Sequence, residues 1–297
     1  MLNIALVTGT ENHHYYWVYE LQKKINVKLI FLINNSNKKK YWRKKPMQYG
    51  FFWFLLKCIS LIYHRFSSNS FSKELKRKET EYFGIYKNKF EEISSELVHY
   101  VKTINSSSNI KLIKSNQIDF ICFLGGDIAS DRIINASKKG SLNYHSGLSP
   151  IYNGSKTIFH AMSDFRPNLA GGTLMYINKK IDGGAILAHF LPQIKENDKA
   201  TDLFLKNIQG AVDLYLDYFD YVKKNNKPEG VEQERYLKYF RNIDWTFIND
   251  IKLNNLIKHN INKKYLRDKT YLHYFDLEKD DMDKILSKLY SKTLKKS

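Results

Sequence analysis

At 297 residues, with 43% hydrophobic and 14% aromatic side chains, the chain can bury one sizeable core, and its composition excludes a disordered or low-complexity protein. Its two cysteines, Cys58 and Cys122, sit in apolar runs with no CxxC spacing, which argues against a disulfide framework and a cysteine zinc site. The net charge of +18 rests mostly on Lys, beside abundant Asn and Ile, so coding bias or an anionic small substrate explains it better than a nucleic-acid surface built on bidentate Arg.

MLNIALVTGT lacks a basic segment leading into an apolar signal core, so a cytoplasmic location is expected. Leu2 to Val7 predicts a strand, HHYYWVYELQKKI a helix, and VKLIFLI (27–33) a second strand, the opening of a parallel α/β sheet. The turn TGTEN between the first two is not a GxGxxG and gives no dinucleotide fingerprint. His13 and His14, opening a surface helix, are expected to be solvated; the alternative is that they approach a bound substrate.

From Asn34 to about Tyr100 the pattern changes. NNSNKKKYWRKK reads as a basic loop, and QYGFFWFLLKCISLIYHRF as an apolar helix. With Lys57 inside it, that stretch falls short of the about 20 apolar residues of a membrane span. It predicts a helix packed on the sheet or at a homodimer interface; the alternative is peripheral contact of 38–65 with an anionic membrane surface. FSKELKRKETEYFG and KNKFEEISSELVHYV read as further helices, making 36–98 a helical insertion.

The α/β rhythm returns with YVKTI as a strand and NSSSNIKLIKSNQ as a short helix with Ser N-cap candidates. IDFICFL is an unbroken apolar run, expected of a central strand buried on both faces, and it ends in Gly125-Gly126-Asp127, where backbone can approach a ligand closely. A short helix over 132–138 precedes the strand SLNYH. GTLMYI and AILAHFLPQI are two more strands joined by NKKIDGG. TDLFLKNIQGAVDLYLDYFDYVKK is amphipathic, with Leu203, Phe204, Ile208, Val212, Tyr215 and Phe219 on its apolar face. The remainder is polar, tyrosine-rich and read as helical. The division expected is a catalytic domain over 1–225 and a mostly helical extension over 226–297.

Three polar features fall at the ends of these strands: Gly125-Gly126-Asp127, Asn143-x-His145 and Asp182-Gly183-Gly184. In open α/β sheets ligands bind outside the carboxyl ends of the strands, so the three can share a pocket. Asn donates to a carbonyl oxygen without carrying charge, His moves a proton or stabilises an oxyanion, and Asp orients the His. Such a set suits acyl transfer without a protein-bound intermediate. Each feature also has a plain structural use, as a strand-end hydrogen bond, a turn residue or a close helix packing.

GGDI, GSLNYHSGLSPIYNGS and INKKIDGGAIL together resemble the 10-formyltetrahydrofolate-dependent formyltransferases, most of all the sugar N-formyltransferases. The resemblance is strong from about Asn105 to Ile194, weaker over the first 35 residues and poor across the insertion and the tail. It implies a Rossmann-like α/β domain with a mainly parallel sheet, a helical insertion and a small helical C-terminal extension. Asn143, His145 and Asp182 would be catalytic, with no metal. The folate would lie against Gly125, Gly126, Asp127, Ile128 and Ala129, with 10-formyltetrahydrofolate as co-substrate. Ser146, Gly147, Pro150, Tyr152 and Gly154 would form the substrate loop. Some members carry a further histidine on the strand before the aspartate; here Met175 stands in that place. No run of alternating strands follows Lys223 to build the barrel of the tRNA-directed members. The acceptor implied is therefore an amino sugar, nucleotide-linked and anionic, of surface-polysaccharide biosynthesis, and nucleic acid is not an expected partner. The alternatives are a methionyl-tRNA formyltransferase, or a non-catalytic basic protein binding RNA or a membrane surface on the same fold.

Overall fold

The computed structural model describes residues 1–34, 51–66, 71–233, 238–277 and 279–294. Strand β1 (Ile4–Thr8) is buried along its whole length, as an unbroken apolar run requires when both faces of a sheet are covered. It pairs in parallel with β2 (Val27–Ile33) on one side and β4 (Phe120–Leu124) on the other. β3 (Val98–Val101) extends the sheet beyond β2, and β5 (Gly140–His145) extends it beyond β4, both in parallel. Three antiparallel strands complete the far side: β7 (Gly172–Tyr176), β8 (Ile186–Leu191) and β10 (Thr270–His273), for an order β10-β8-β7-β5-β4-β1-β2-β3. A small two-stranded sheet joins β6 (Asn153–Gly154) to β9 (Tyr239–Phe240).

Strand alternation sorts the core into two layers. Ile4, Leu6, Ile30, Leu32, Phe120 and Cys122 face one way, against Trp17, Val18 and Leu21 of α1 (Asn12–Gln22) and Leu214, Tyr215 and Tyr218 of α8 (Ala200–Lys224). Ala5, Val7, Phe31, Ile121 and Phe123 face the other way, against Ile110 and Ile113 of α5 (Ser107–Ser115) and Ile133 of α6 (Asp131–Ile134). Buried tyrosines on the first face keep their hydroxyls bonded: Tyr215 donates to the Phe123 carbonyl at 2.7 Å and Tyr144 to Asn207 Oδ1 at 2.8 Å.

Between β2 and β3 lie α2 (Phe51–Phe66), α3 (Phe71–Phe83) and α4 (Ile85–Glu91). Ion pairs fasten α3 to α1 and to the start of α8: Glu79 to His13 at 2.8 Å, Lys78 to Asp202 at 3.1 Å and Glu74 to Lys199 at 2.6 Å. His13 and His14 are therefore not solvated. The backbone N–H and Nδ1 of His13 both meet Glu79 Oε1, and His14 is buried against Glu11. Burial drives the Glu79 carboxyl up, but its bonds to His13 outweigh that and hold it below the usual carboxylate range. The basic run 38–45 lies outside the described residues.

Four elements differ from the sequence reading. The helix read from KNKFEEISSELVHYV stops with α4 at Glu91, and its last residues, Val98–Val101, form β3 because β2 offers them a parallel edge. The strand read as YVKTI sits two residues earlier, because Thr103 and Ile104 leave the ladder: their carbonyls accept from Asn109, and Ile104 N donates to Asp127. The helix expected over 132–138 is only α6, stopped where Ser137 Oγ donates to the Gly140 carbonyl. The tail is not simply helical. Alongside α9 (Phe247–Lys258) and α10 (Lys279–Leu294) it supplies β10, which covers the open side of β8. Arg267 fixes that tail, donating to the carbonyls of Pro192, Asn168 and Ala170 at 2.9, 2.7 and 2.6 Å.

Candidate active site

The carboxyl ends of β1, β4 and β5 stand side by side, with Thr8 opposite Leu124 and Phe123 opposite Asn143. The chain order reverses at β1, the place where open α/β sheets leave a crevice. β5 delivers Asn143 and His145 to one face of that edge, paired across to Met175 and Thr173 of β7. The loop after β7 then carries Asp182 back over the end of β5. Asp182 holds φ at 50°, a left-handed conformation that Asp tolerates better than most side chains.

The Asp182 carboxylate ties the strand end together. Its Oδ1 accepts from Asn143 Nδ2 at 3.4 Å; its Oδ2 accepts from the Gly154 backbone N–H at 3.0 Å and lies 3.5 Å from His145 Nδ1. On the other side of the imidazole, Nε2 is 3.1 Å from the Tyr152 carbonyl and 3.4 Å from Thr157 Oγ1, whose own proton goes to the Ser146 carbonyl. A carbonyl can only accept, so Nε2 carries the proton toward Tyr152. Nδ1 is then the nitrogen left to exchange a proton on the Asp182 side.

A cavity of about 190 Å³ opens beside this trio. Gly125, Gly126, Asp127, Ile128 and Ala129 line one wall, Met175 and residues 176–184 the other, and Asn143 lies between them. Gly125 and Gly126 have φ of 71° and 92°, which L side chains rarely adopt, so glycine lets the chain turn at once off β4. Asn105 fastens the loop, donating to the Ile128 carbonyl at 2.9 Å and accepting from Ser130 N at 2.8 Å. Asp127 turns inward to the Ile104 N–H at 3.3 Å, a loop-holding bond. Ile128 and Ile181 remain 71% and 43% exposed, an apolar lip of the kind a flat heterocycle covers.

Ser146, Gly147, Pro150, Tyr152 and Gly154 stand outside the lining of this cavity and behind the trio. The Gly147 carbonyl accepts from Thr173 Oγ1 at 2.6 Å, Tyr152 and Gly154 hold His145 and Asp182 as described, and Pro150 follows a cis peptide bond. Ser149 Oγ is buried with no hydrogen-bond partner among the described residues, so nothing activates it as a nucleophile. Two residues here carried no sequence signal. Thr157 opens a short helix directly after Lys156, which is held in a left-handed conformation. Gln233 reaches in from beyond α8, its Nε2 donating to the carbonyls of Asp182 at 3.0 Å and Gly184 at 2.8 Å. Met175 is buried beside it, with its sulfur 3.9 Å from that nitrogen.

An uncharged donor, a proton-carrying imidazole and an orienting carboxylate beside a part-apolar cavity can stabilise charge on a carbonyl oxygen and move a proton from an attacking amine. Comparison with known proteins points to the same chemistry. The methionyl-tRNA formyltransferase of Mycoplasmopsis pulmonis is 36% identical over 95 residues, 32% of this chain and 32% of that protein. The matched stretch thus spans about a third of that relative's length. Among solved structures, a sugar N-formyltransferase from Shewanella sp. aligns with a TM-score of 0.50 at 16% identity, over 85% of this chain and 87% of that one. WlaRD, a sugar 3N-formyl transferase solved in the presence of dTDP and 5-N-formyl-THF, gives 0.50 at 16% identity, over 85% of this chain and 79% of that one. At such identities the likeness is one of fold. The family model described as formyl transferase matches residues 3–215, and the chain belongs to that family.

Proposed function

We propose that the protein transfers a formyl group from 10-formyltetrahydrofolate to the amine of a nucleotide-linked amino sugar. The observation that carries this reading is the convergence of Asn143, His145 and Asp182 on one carboxylate-centred cluster at the wall of the cavity. The wall fits a reduced pterin: backbone at Gly125 and Gly126 for its polar edge, and Ile128, Met175 and Ile177 for its faces. That compound supplies the activated formyl group; the remaining work belongs to this chain. Asn143 donates to the carbonyl oxygen as negative charge builds there. His145, steered by Asp182 and by the Tyr152 carbonyl, takes up and returns the proton lost by the amine. Lys179 and Lys180, on the cavity wall, suit the anionic end of a ligand. The working unit is 1–225, completed by Gln233 from the extension.

An amino-sugar acceptor is supported by the fold likeness to sugar N-formyltransferases over most of both chains. Methionyl-tRNA is the second reading, favoured by the sequence relative. The test is to incubate the protein with 10-formyltetrahydrofolate and, separately, a panel of nucleotide-linked amino sugars and methionyl-tRNA. Tetrahydrofolate release and a product heavier by one formyl group are followed, with Asn143→Ala as control. Turnover with one sugar, cut by about 10²–10³ in the variant, is the expected result. Turnover with methionyl-tRNA alone would replace the acceptor. Failure to bind the folate would end the reading.

A further inference from the structure

α2 is built inside out. At 100° per residue, Leu56, Ser60 and Tyr63 share one face, and that face meets the protein: Ser60 Oγ is 3.1 Å from the backbone N–H of Phe247 on α9, and the Tyr63 ring centroid lies 5.9 Å from that of Phe247. The helix thus turns a serine inward. Outward it shows Phe54, Leu55, Ile59, Leu61, Ile62 and Phe66, which fall within one arc of about 160° broken by a single charge, Arg65. Leu61, Ile62 and Phe66 are 64%, 60% and 77% exposed. A water-facing helix does the reverse, and contiguous exposed apolar surface of this kind marks a binding face.

The sequence indicates what the face meets. From residue 36 to 66 there are eight Lys and Arg, namely Lys38, Lys39, Lys40, Arg43, Lys44, Lys45, Lys57 and Arg65, and no Asp or Glu. A second copy docked on the same patch would bring two such basic segments together, which like-charge repulsion opposes. An anionic bilayer offers both complements, acyl chains for the apolar arc and anionic headgroups for a sequence of purely positive charge. Sixteen residues span about 24 Å at 1.5 Å per residue, too short for the roughly 30 Å hydrocarbon core, and among the described residues no helix is long and apolar enough to cross a membrane. The geometry therefore suits a helix lying in the interface.

We infer that the apolar face of α2 seats the protein on anionic lipid surfaces. The face is separate from the Asn143 cluster, and the inference does not depend on the reaction proposed for it. Co-sedimentation of the full chain with vesicles of phosphatidylcholine alone, or with one third phosphatidylglycerol, tests it at low and high salt. Pelleting is expected with the anionic vesicles, weakened several-fold by salt as headgroup attraction is screened. Leu61→Glu combined with Ile62→Glu should weaken it at least tenfold. Because both side chains are exposed, circular dichroism and folate binding of that variant should match the parent; Phe66→Ser gives an independent variant should the double one misfold. No pelleting of the parent with anionic vesicles, or equal pelleting with neutral ones, overturns the inference. So does a parent dimer in light scattering that the glutamates dissociate, since a second copy would then be the occupant.

Discussion

Gln233 holds Asp182 by its backbone, not by its carboxylate: the amide nitrogen lies 3.0 Å from the Asp182 carbonyl oxygen and bonds the Gly184 carbonyl as well. Asp182 keeps a left-handed φ of 50°, and its two carboxylate oxygens reach Asn143, His145 and the Gly154 N–H only from that conformation of the turn. A residue from the tail, beyond the stretch matched by the family model, thus sets the aim of the carboxylate.

Gln233→Leu should lower turnover about tenfold by loosening the turn, at a stability cost of about 1–2 kcal/mol for two carbonyls left without their donor. Gln233→Glu should be worse, because an ionised carboxylate repels both carbonyls and adds a negative charge beside Asp182. Protonation relieves that clash, so the Glu variant should recover relative to the parent as pH falls from 8 toward 5, whereas the Leu variant should show no such recovery. A pH series of kcat for the three proteins decides it. Parallel profiles would mean that Gln233 only packs.

Gly147 is the tightest point behind His145. A Cβ there would land against His145 Nε2, Thr157 Oγ1 and the Tyr152 carbonyl oxygen, all well inside van der Waals contact. Two of these atoms are the groups that fix the ring. Gly147→Ala should displace the imidazole and reduce turnover by about 10²-fold, the scale of losing one catalytic proton carrier. Thr157→Val, which removes one weak contact and no backbone partner of the ring, should cost less than tenfold. Equal losses in single-turnover assays of the two variants would argue that the loop, not the ring position, matters.

What could be read from the sequence follows from how local the cause is. β4 is visible because a run from Phe120 to Leu124 has no polar face to expose, and the i, i+2 rule alone puts Asn143 and His145 together. Asp182 could be placed at a strand end from the sequence, but its contact with that pair could not, since its approach depends on the antiparallel register of β5 and β7. The pairing of His13 was not visible: its partner Glu79 lies 66 residues away on an inserted helix whose docking has no local signal. β10 is four residues that become a strand only because β8 leaves an open edge. Gln233 belongs to no motif at all.

Acid stability should follow three buried histidines. Burial lowers His14, aided by neighbouring His13, and likewise lowers His160 and His189, each to about 4. The unfolded chain, with histidines near 6.5, therefore binds more protons between pH 4 and 6.5. Stability rises with pH across that window and levels off above it. Going from pH 7.5 to 5 should cost about 2 kcal/mol per histidine. His160 isolates the effect: its Nε2 has no hydrogen-bond partner among the described residues, and its ring stacks on Phe240 at 3.9 Å. His160→Phe keeps the stack and removes the proton, so urea midpoints should fall less steeply below pH 6.5 than in the parent. An unchanged slope would place the acid sensitivity elsewhere.

Arg267 should be the most sensitive position of the tail. The residue is half-buried, and its fork is spent on three carbonyls, Asn168 and Ala170 ahead of β7 and Pro192 after β8. The segment of Asn168 and Ala170 leads into Thr173, which bonds Gly147 and Ser149 behind the strand end that carries Asn143 and His145. Arg267→Met leaves all three carbonyls without their charged donor and should destabilise the protein by about 3 kcal/mol. Arg267→Lys keeps the charge but reaches fewer of the three from one point, so about 2 kcal/mol is expected. Because the trio itself is untouched, the folded fraction of either variant should retain turnover within a few-fold. Urea unfolding and assay at matched folded concentration separate the two effects; a large loss of kcat in fully folded Arg267→Lys would show that the tail acts on the site and not only on the sheet.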